Sequence, residues 1–557
     1  MKIEERVILN ETCTAHLETQ KNIFPNRKLI FFEDQSIDVS QLLYFIDKTA
    51  MELRRQGIRK GDRVALMLPN IPMFVVAYYA IFRIGGVVVP INILYGKEEL
   101  EHIFRLTNVK GVIHWYYFST VVNQALQSFG DSVLKIAIKE TSLSSAMKDF
   151  SDFDPARLST GDESHADMDD PAVIQFSSGT TGTMRGSVWS HRNVSFMAQV
   201  CGEVFTISES DCFLGALPLF HPIGQVIIVN TALWHGASIA LQQRFDPAEI
   251  VKALTDRHIS IMVGVPAMYQ ILLRTLGDTV QRYPRLRLCV SSGGYLPPEK
   301  VMHLEEQLLV PVLEGYGTTE CLALACCNYI QGPRKHGSVG YPLPEVEMRI
   351  VNEAGQTLSA TEVGEIAVRG ENVVLNSLNT PDTCNCRIKD KWLYTGDLGY
   401  MDDEGFFYFL DRKEDVIVKG GFHVYPKEVE EALLEHDRVI EAAVIGIPDK
   451  LRGEEVKACI VPKEENAVTS EELILYCRKR LPLYKCPKEI VFYKELPRGS
   501  TGKVLKKNLR IERENVDAQS SKSAPEKAET VNKPDENIPA PDNGTREKEH
   551  ETPGIVS

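Results

Sequence analysis

The stretch IQFSSGTTGTMRGSVWSH, Ile174 to His191, begins as an apolar strand and opens into a loop crowded with hydroxyls and glycines. Glycines at Gly179, Gly182 and Gly186 let the backbone come close to an anion, and Ser177, Ser178, Thr180, Thr181 and Thr183 supply hydroxyl donors. Arg185 adds a permanent positive charge, so the stretch suits a polyphosphate. Viewed alone, it also reads as a flexible Ser/Gly linker; the strand in front of it favours a site. No Gly-Lys-Ser/Thr ends the loop, which excludes the Walker pattern.

On both sides, from about Leu29 to Leu410, short apolar runs alternate with amphipathic stretches, as strands and helices do in α/β layers. Val64 to Leu68, Gly86 to Pro90 and Ala172 to Phe176 read as strands, while Leu42, Leu43, Ile46, Ala50 and Leu53 recur on one helical face. After Asp411 the pattern restarts on a smaller scale. Pro426 suits the first turn of a helix that carries Val429 and Leu433 on one face. Runs at Ala442 to Ile447 and Lys457 to Val461 precede a second helix, introduced by Thr469 and Glu472 at capping-box spacing. The expected fold is therefore α/β. A large amino-terminal domain, residues 1–410, has two related sheet layers and a smaller β-rich portion; a small α+β domain, residues 411–515, follows. The remainder, residues 516–557, lacks aromatic residues and is expected to be disordered.

Composition narrows the partners. With 62 basic against 76 acidic residues the net charge is −14, which gives no whole-chain reason to expect binding to nucleic acid. Twelve cysteines, scattered rather than in CxxC pairs, suggest reduced thiols in the cytoplasm and not a disulfide scaffold. Cys321 with Cys326 and Cys327, and Cys384 with Cys386, lack zinc spacing. The terminus MKIEERVILNETC lacks the basic start of a signal peptide. Prolines and glycines interrupt Val64 to Leu94, so a transmembrane span is not expected; peripheral membrane contact and oligomeric state stay open.

A second signature, EGYGTTE at Glu314 to Glu320, gathers two glycines, an aromatic face, two hydroxyls and a carboxylate. Tyr316 can pack on a purine, Thr318 or Thr319 can bond phosphate oxygen, and Glu320 can hold a magnesium ion shared with phosphates. Further on come YTGD at Tyr394 to Asp397, DRKEDVIVKGGFHVYPKEVE at Asp411 to Glu430, and LPRGSTGK at Leu496 to Lys503. Taken together and in this order, these motifs resemble those of the adenylate-forming superfamily, which contains acyl-CoA synthetases, adenylation domains of peptide synthetases and luciferases. The resemblance runs from about residue 30 to residue 511.

What the resemblance implies is an enzyme that uses ATP, magnesium and coenzyme A to turn a carboxylic acid into an acyl-adenylate and then a thioester. Asp397 would accept the ribose hydroxyls, with Arg412 in support. Gly293, Gly294 and Tyr295 would line the adenine pocket, and Tyr316 with Gly317 would cover the base. Lys503 would be the catalytic lysine, bridging carboxylate and α-phosphate, and Glu320 the magnesium ligand. His221, in LPLFHPIG, and the segment GVPAMY at Gly264 to Tyr269 would border the acyl pocket. Glu414 would be the hinge about which the small domain turns, exchanging Lys503 for the loop Lys419-Gly420-Gly421-Phe422 beside the thiol tunnel. Family loops of this type usually continue Pro-Lys-Gly where this chain reads Met184-Arg185-Gly186. The small-molecule acid is expected to be a medium- or long-chain fatty acid, with aryl acids and a carrier-protein acceptor as alternatives.

Overall fold

The computed structural model describes residues 8–140, 166–178, 184–256, 259–277, 280–374, 376–378, 388–464, 467–498 and 504–510. Among them the strands form four sheets. Two have parallel centres. In the seven-stranded sheet the run Val87–Pro90 is wholly buried and lies parallel to Arg63–Met67 on one side and Pro171–Ser178 on the other. Such a continuous apolar strand needs cover on both faces, which is why the segment from Val64 onward folds as strand, helix Pro72–Arg83, strand. Beside it, the helix Val39–Arg55 buries Leu42, Leu43, Ile46, Ala50 and Leu53 as its periodicity predicts. Asp38 caps it in a complete box with Gln41.

The nine-stranded sheet has adjacent parallel strands Val312–Tyr316, Leu288–Ser291, Ile261–Gly264 and Cys212–Gly215. Each of these four is followed by a stretch singled out in the sequence: GTTE, SGGY, VPAMY and LPLFH. Parallel order thus delivers four motifs to one edge, the carboxyl ends of the strands, where open α/β sheets bind ligands. A third, antiparallel sheet holds Glu347–Val351, Gly364–Arg369, Ile388–Lys389, Trp392–Met401 and Phe407–Arg412, and it is the expected β-rich portion.

The smaller C-terminal domain is built on the long hairpin Val439–Asp449 and Gly453–Pro462. Successive side chains point to opposite faces. Val444, Ala458 and Ile460 therefore pack under the helices Pro426–Leu434 and Ser470–Arg478, while Ala443, Ile445 and Cys459 face Leu496 and Leu509. The second helix is capped more simply than expected. Thr469 accepts from the Glu472 N–H, but the Glu472 carboxylate goes to Arg438 at 2.6 Å instead of back to the cap.

No described helix is long and apolar enough to cross a membrane. The ten described cysteines are free and buried; Cys384 and Cys386, like the tail from residue 511, lie outside the described residues.

Candidate functional site

The strand Pro171–Ser178 and its return strand Met184–Ser190 form a hairpin whose last register pairs are Ser177 with Arg185 and Ser178 with Met184. Arg185 therefore stands at the mouth of the loop. The loop itself, Gly179, Thr180, Thr181, Gly182 and Thr183, lies outside the described residues. Trp189, wholly buried on the return strand, donates its indole N–H to the Thr319 carbonyl at 3.2 Å. One indole hydrogen bond thus fastens the hydroxyl-rich hairpin to the second signature.

In that signature the chain turns sharply after Tyr316. A Cβ at Gly317 would stand 2.5 Å from the Ala323 carbonyl oxygen, so only glycine fits there. The turn Thr319–Cys321 is pinned by Cys321 Sγ, which accepts the Thr318 N–H at 3.0 Å, and by the Val374 N–H on the Glu320 carbonyl at 2.9 Å. Thr318, Thr319 and Glu320 are left half-exposed on this fixed backbone.

Tyr316, at the strand end, donates its hydroxyl to Asp397 Oδ2 at 2.7 Å. Burial, followed by the Asp397 charge, holds that phenol protonated well above its ordinary range. Asp397 is paired in register with Arg412, whose Nε lies 4.0 Å from Oδ1, and its own N–H rests on Thr395 Oγ1 at 3.1 Å. Tyr316 stacks on Phe409 at 5.9 Å. The structure thus brings Tyr316, Asp397 and Arg412 together, although the first comes from a different sheet.

Gly293 and Gly294 are exposed after the strand Leu288–Ser291, with Gly293 at φ +82°. A Cβ on Gly293 would meet Ile223 at 3.2 Å and Val265 at 3.5 Å, so the SSGGY, LPLFHPIG and GVPAMY segments touch here. Ser291 and Ser292 bury hydroxyls without a partner among the described residues. Tyr269 is core rather than pocket: its hydroxyl reaches the Met262 and Val290 carbonyls, each at 2.9 Å.

His221 Nδ1 accepts the Ile223 N–H at 3.3 Å, and burial pushes the ring down to about 4, so it is neutral with its proton on Nε2. Directly after it the chain makes a π-helical turn, Gly224–Asn230, which periodicity did not foretell. Gly224 is compulsory, since a Cβ would stand 2.3 Å from the Pro218 carbonyl oxygen. Gln225, fully buried, donates to Gln175 Oε1 at 2.7 Å and to the Phe220 carbonyl at 2.9 Å. This pair ties the strand leading into the hydroxyl loop to the His221 turn.

Lys427, on the first helix of the C-terminal domain, was read only as part of a motif. Its Nζ donates to the Phe409 carbonyl at 2.7 Å and sits 3.6 Å from the centre of the Tyr295 ring. Its backbone N–H meets Asp411 Oδ2 at 2.9 Å. Nearby Glu314 is buried and pushed up to about 7 by that burial, against the opposing Gly337 N–H at 3.1 Å and the Lys427 charge. Gly420 and Gly421 stand apart, with nothing within 4 Å of either Cβ position. Arg412 Nη1 lies 3.7 Å from Glu414, and Lys503 falls outside the described residues.

The chain thus gathers Tyr316, Asp397 and Arg412 beside the strand-end motifs and ties the hydroxyl-rich hairpin to the same turn. Comparison with known proteins gives its family. The model of the AMP-binding enzyme matches residues 17–376, and that of the AMP-binding enzyme C-terminal domain matches residues 428–503. This chain belongs to the AMP-binding enzyme family, and is an acid–thiol ligase of the adenylate-forming superfamily that its motifs resemble. It is 34% identical to the long-chain-fatty-acid–CoA ligase of Bacillus subtilis, over 90% of this chain and 94% of that one. To the 2-succinylbenzoate–CoA ligase of a Geobacillus species it is 32% identical, over 83% and 90%. Among solved structures, ATP-bound MatB from Rhodopseudomonas palustris superposes with a TM-score of 0.83 at 28% identity, covering 91% of this chain and 100% of that chain. The Bacillus subtilis o-succinylbenzoate CoA synthetase, solved with ATP and magnesium ion, gives 0.78 at 29%, covering 89% and 98%.

Proposed function

We propose that the protein activates a hydrophobic carboxylic acid, of medium or long chain, as its acyl-adenylate and transfers the acyl group to coenzyme A in the cytoplasm. The observation that carries the reading is the continuous chain of contacts from Asp397 through Tyr316 to the GTTE turn, and from Thr319 through Trp189 to the hydroxyl hairpin. One nucleotide can span it, with its ribose on Asp397 and Arg412, its base beside Tyr295 and Gly294, and its phosphates towards Ser177, Thr318 and Arg185. Glu320, half-exposed on a pinned turn, fits a magnesium ion, which takes one or two carboxylates and completes its shell with phosphate oxygens. When bound, that ion would neutralise charge on the leaving pyrophosphate.

Lys503 is assigned to the adenylation step, holding the acid's carboxylate against the α-phosphate. The boundary between domains is placed at 410/411, with Glu414 as pivot, so that the Gly420-Gly421 loop can approach the thiol tunnel in the second step. Neutral His221 borders the acyl site as a donor from Nε2. The fatty-acid reading is supported by the Bacillus relative; an aryl acid, as in the name of the Geobacillus relative, is the competing one.

Acid-dependent pyrophosphate release across a panel of fatty and aryl acids tests the substrate. Mass spectrometry of the product, with coenzyme A or a carrier protein supplied, tests the acceptor. Release with no acid in the panel, or product formed only on the carrier, would sink the corresponding half of the reading.

A further inference from the structure

Gly420 and Gly421 are the two central residues of a tight hairpin. Strands Ile417–Lys419 and Phe422–Val424 pair with Lys419 opposite Phe422, and the glycines have φ of +60° and +85°, as a type I′ turn requires. At its base the ribbon buries Ile417 and Val424 in the small domain's core. Its inner strand meets the domain's main hairpin through a single register pair, Lys419 with Gly453. A two-stranded ribbon is marginal by itself, so the placement of its tip depends on side-chain anchors.

The anchor is ionic and buried. Lys419 Nζ bonds Glu455 Oε1, with the two side chains only 6% and 3% exposed. Glu455 is itself oriented by the Val456 N–H at 3.1 Å and by Arg452 Nη1 at 3.5 Å. Around this pair the Gly420 N–H bonds the Arg452 carbonyl at 2.7 Å, and the Val418 N–H bonds Glu454 at 2.7 Å. Buried ion pairs contribute little net stability compared with apolar residues of similar volume, and setting register is their best-attested use.

We propose that Glu455 is a positioning residue for thioester formation: through buried Lys419 it sets the direction of the Gly420-Gly421 tip, and hence the path of the pantetheine arm. The proposal rests on the assignment of that tip to the second half-reaction. Adenylation does not use the tip and should not feel Glu455.

The test is made in the full-length protein with Lys419→Met and Glu455→Leu combined, which replaces the charges by apolar volume, and separately with Glu455→Asp, which keeps the charge but shortens the reach. The double variant should melt at the wild-type temperature or above and release acid-dependent pyrophosphate within about twofold of wild type. Conversion of preformed acyl-adenylate by coenzyme A should fall about tenfold, with KM for coenzyme A raised, and Glu455→Asp should show a weaker form of the same split. Equal loss in both half-reactions, or an unchanged thioester step in the folded double variant, overturns the proposal. Gly421→Leu separates the two ideas. If it leaves the thioester step untouched, the loop assignment itself fails; if it blocks that step while the double variant does not, only the role of Glu455 fails.

Discussion

The large and small domains are held together in different ways. In the large domain the main apolar core runs continuously between the two parallel sheets, from Leu29 and Phe74 to Leu313 and Val368, with a second cluster around Leu100 and Phe104 on the other face of the seven-stranded sheet, and the polar ties near the site lie against the main core. In the small domain the core is split across the two faces of one sheet, and Lys427 meets the large domain through a carbonyl and an aromatic face. Packed cores resist displacement, whereas a seam held by a few polar contacts can exchange partners more readily. On the proposed reading the large domain is a mould and the small one a tool brought to it, so damage should separate into loss of fold and loss of a single step.

The largest effect expected is the sharpest example of that separation. Lys503→Ala should slow acid-dependent pyrophosphate release about 100- to 1,000-fold, the usual loss on removing one preorganised charge donor. Conversion of preformed acyl-adenylate by coenzyme A, and the melting temperature, should stay near wild type. Equal slowing of both steps would erase the distinction drawn here.

Glu314 tests the mould by pH. Its folded pKa is raised from 4.5 to about 7, so its contribution to stability is complete below pH 4.5 and is lost as pH rises to 7. Glu314→Gln, which can still accept the Gly337 N–H, should therefore be more stable than wild type at pH 8, by at most roughly 3 kcal/mol, and equal to it at pH 4. Melting curves of both proteins across that range would show it; a difference independent of pH would mean the carboxyl is not the cause.

Gly317→Ala drives a methyl into the Ala323 carbonyl and should cost about 1–3 kcal/mol in denaturant unfolding, with both half-reactions impaired together because the turn directly follows Tyr316, which holds Asp397. A variant with normal stability and a defect in one step only would place this turn with the tool rather than the mould. The smallest effect is expected from Arg185→Lys. Both side chains neutralise phosphate charge at the loop mouth, so adenylation should stay within about threefold of wild type or rise. Abolition of ATP use would show that the fork of Arg185 is indispensable.

Much of this was legible in the residues, and the rest was hidden for identifiable reasons. Apolar periodicity located the helix Val39–Arg55, the strands around Val64 and Val87, and the restart after Asp411, because burial of one face is written locally. Motif order placed Asp397, Arg412 and Tyr316 in one reading, and they do meet. Periodicity could not show the π-helical turn at Gly224–Asn230, where the close approach of Pro218 requires glycine at position 224. Nor could it show Gln225 on Gln175, 50 residues apart, or the indole of Trp189 on Thr319, 130 residues apart. Lys427 lay inside a quoted motif without a role, since its partners Tyr295 and Phe409 are brought to it only by the fold.

The Gln175–Gln225 bridge also bears on how such an enzyme can be re-engineered. Gln225 and His221 belong to one turn, and its buried amide is matched to the strand that feeds the hydroxyl loop. A transplanted acid-binding segment that arrives without its own partner at position 175 would leave an amide stranded in the interior. Grafts that trade residues 217–230 therefore have to keep a matching partner at position 175, which leaves the hairpin of the hydroxyl loop with its own strand.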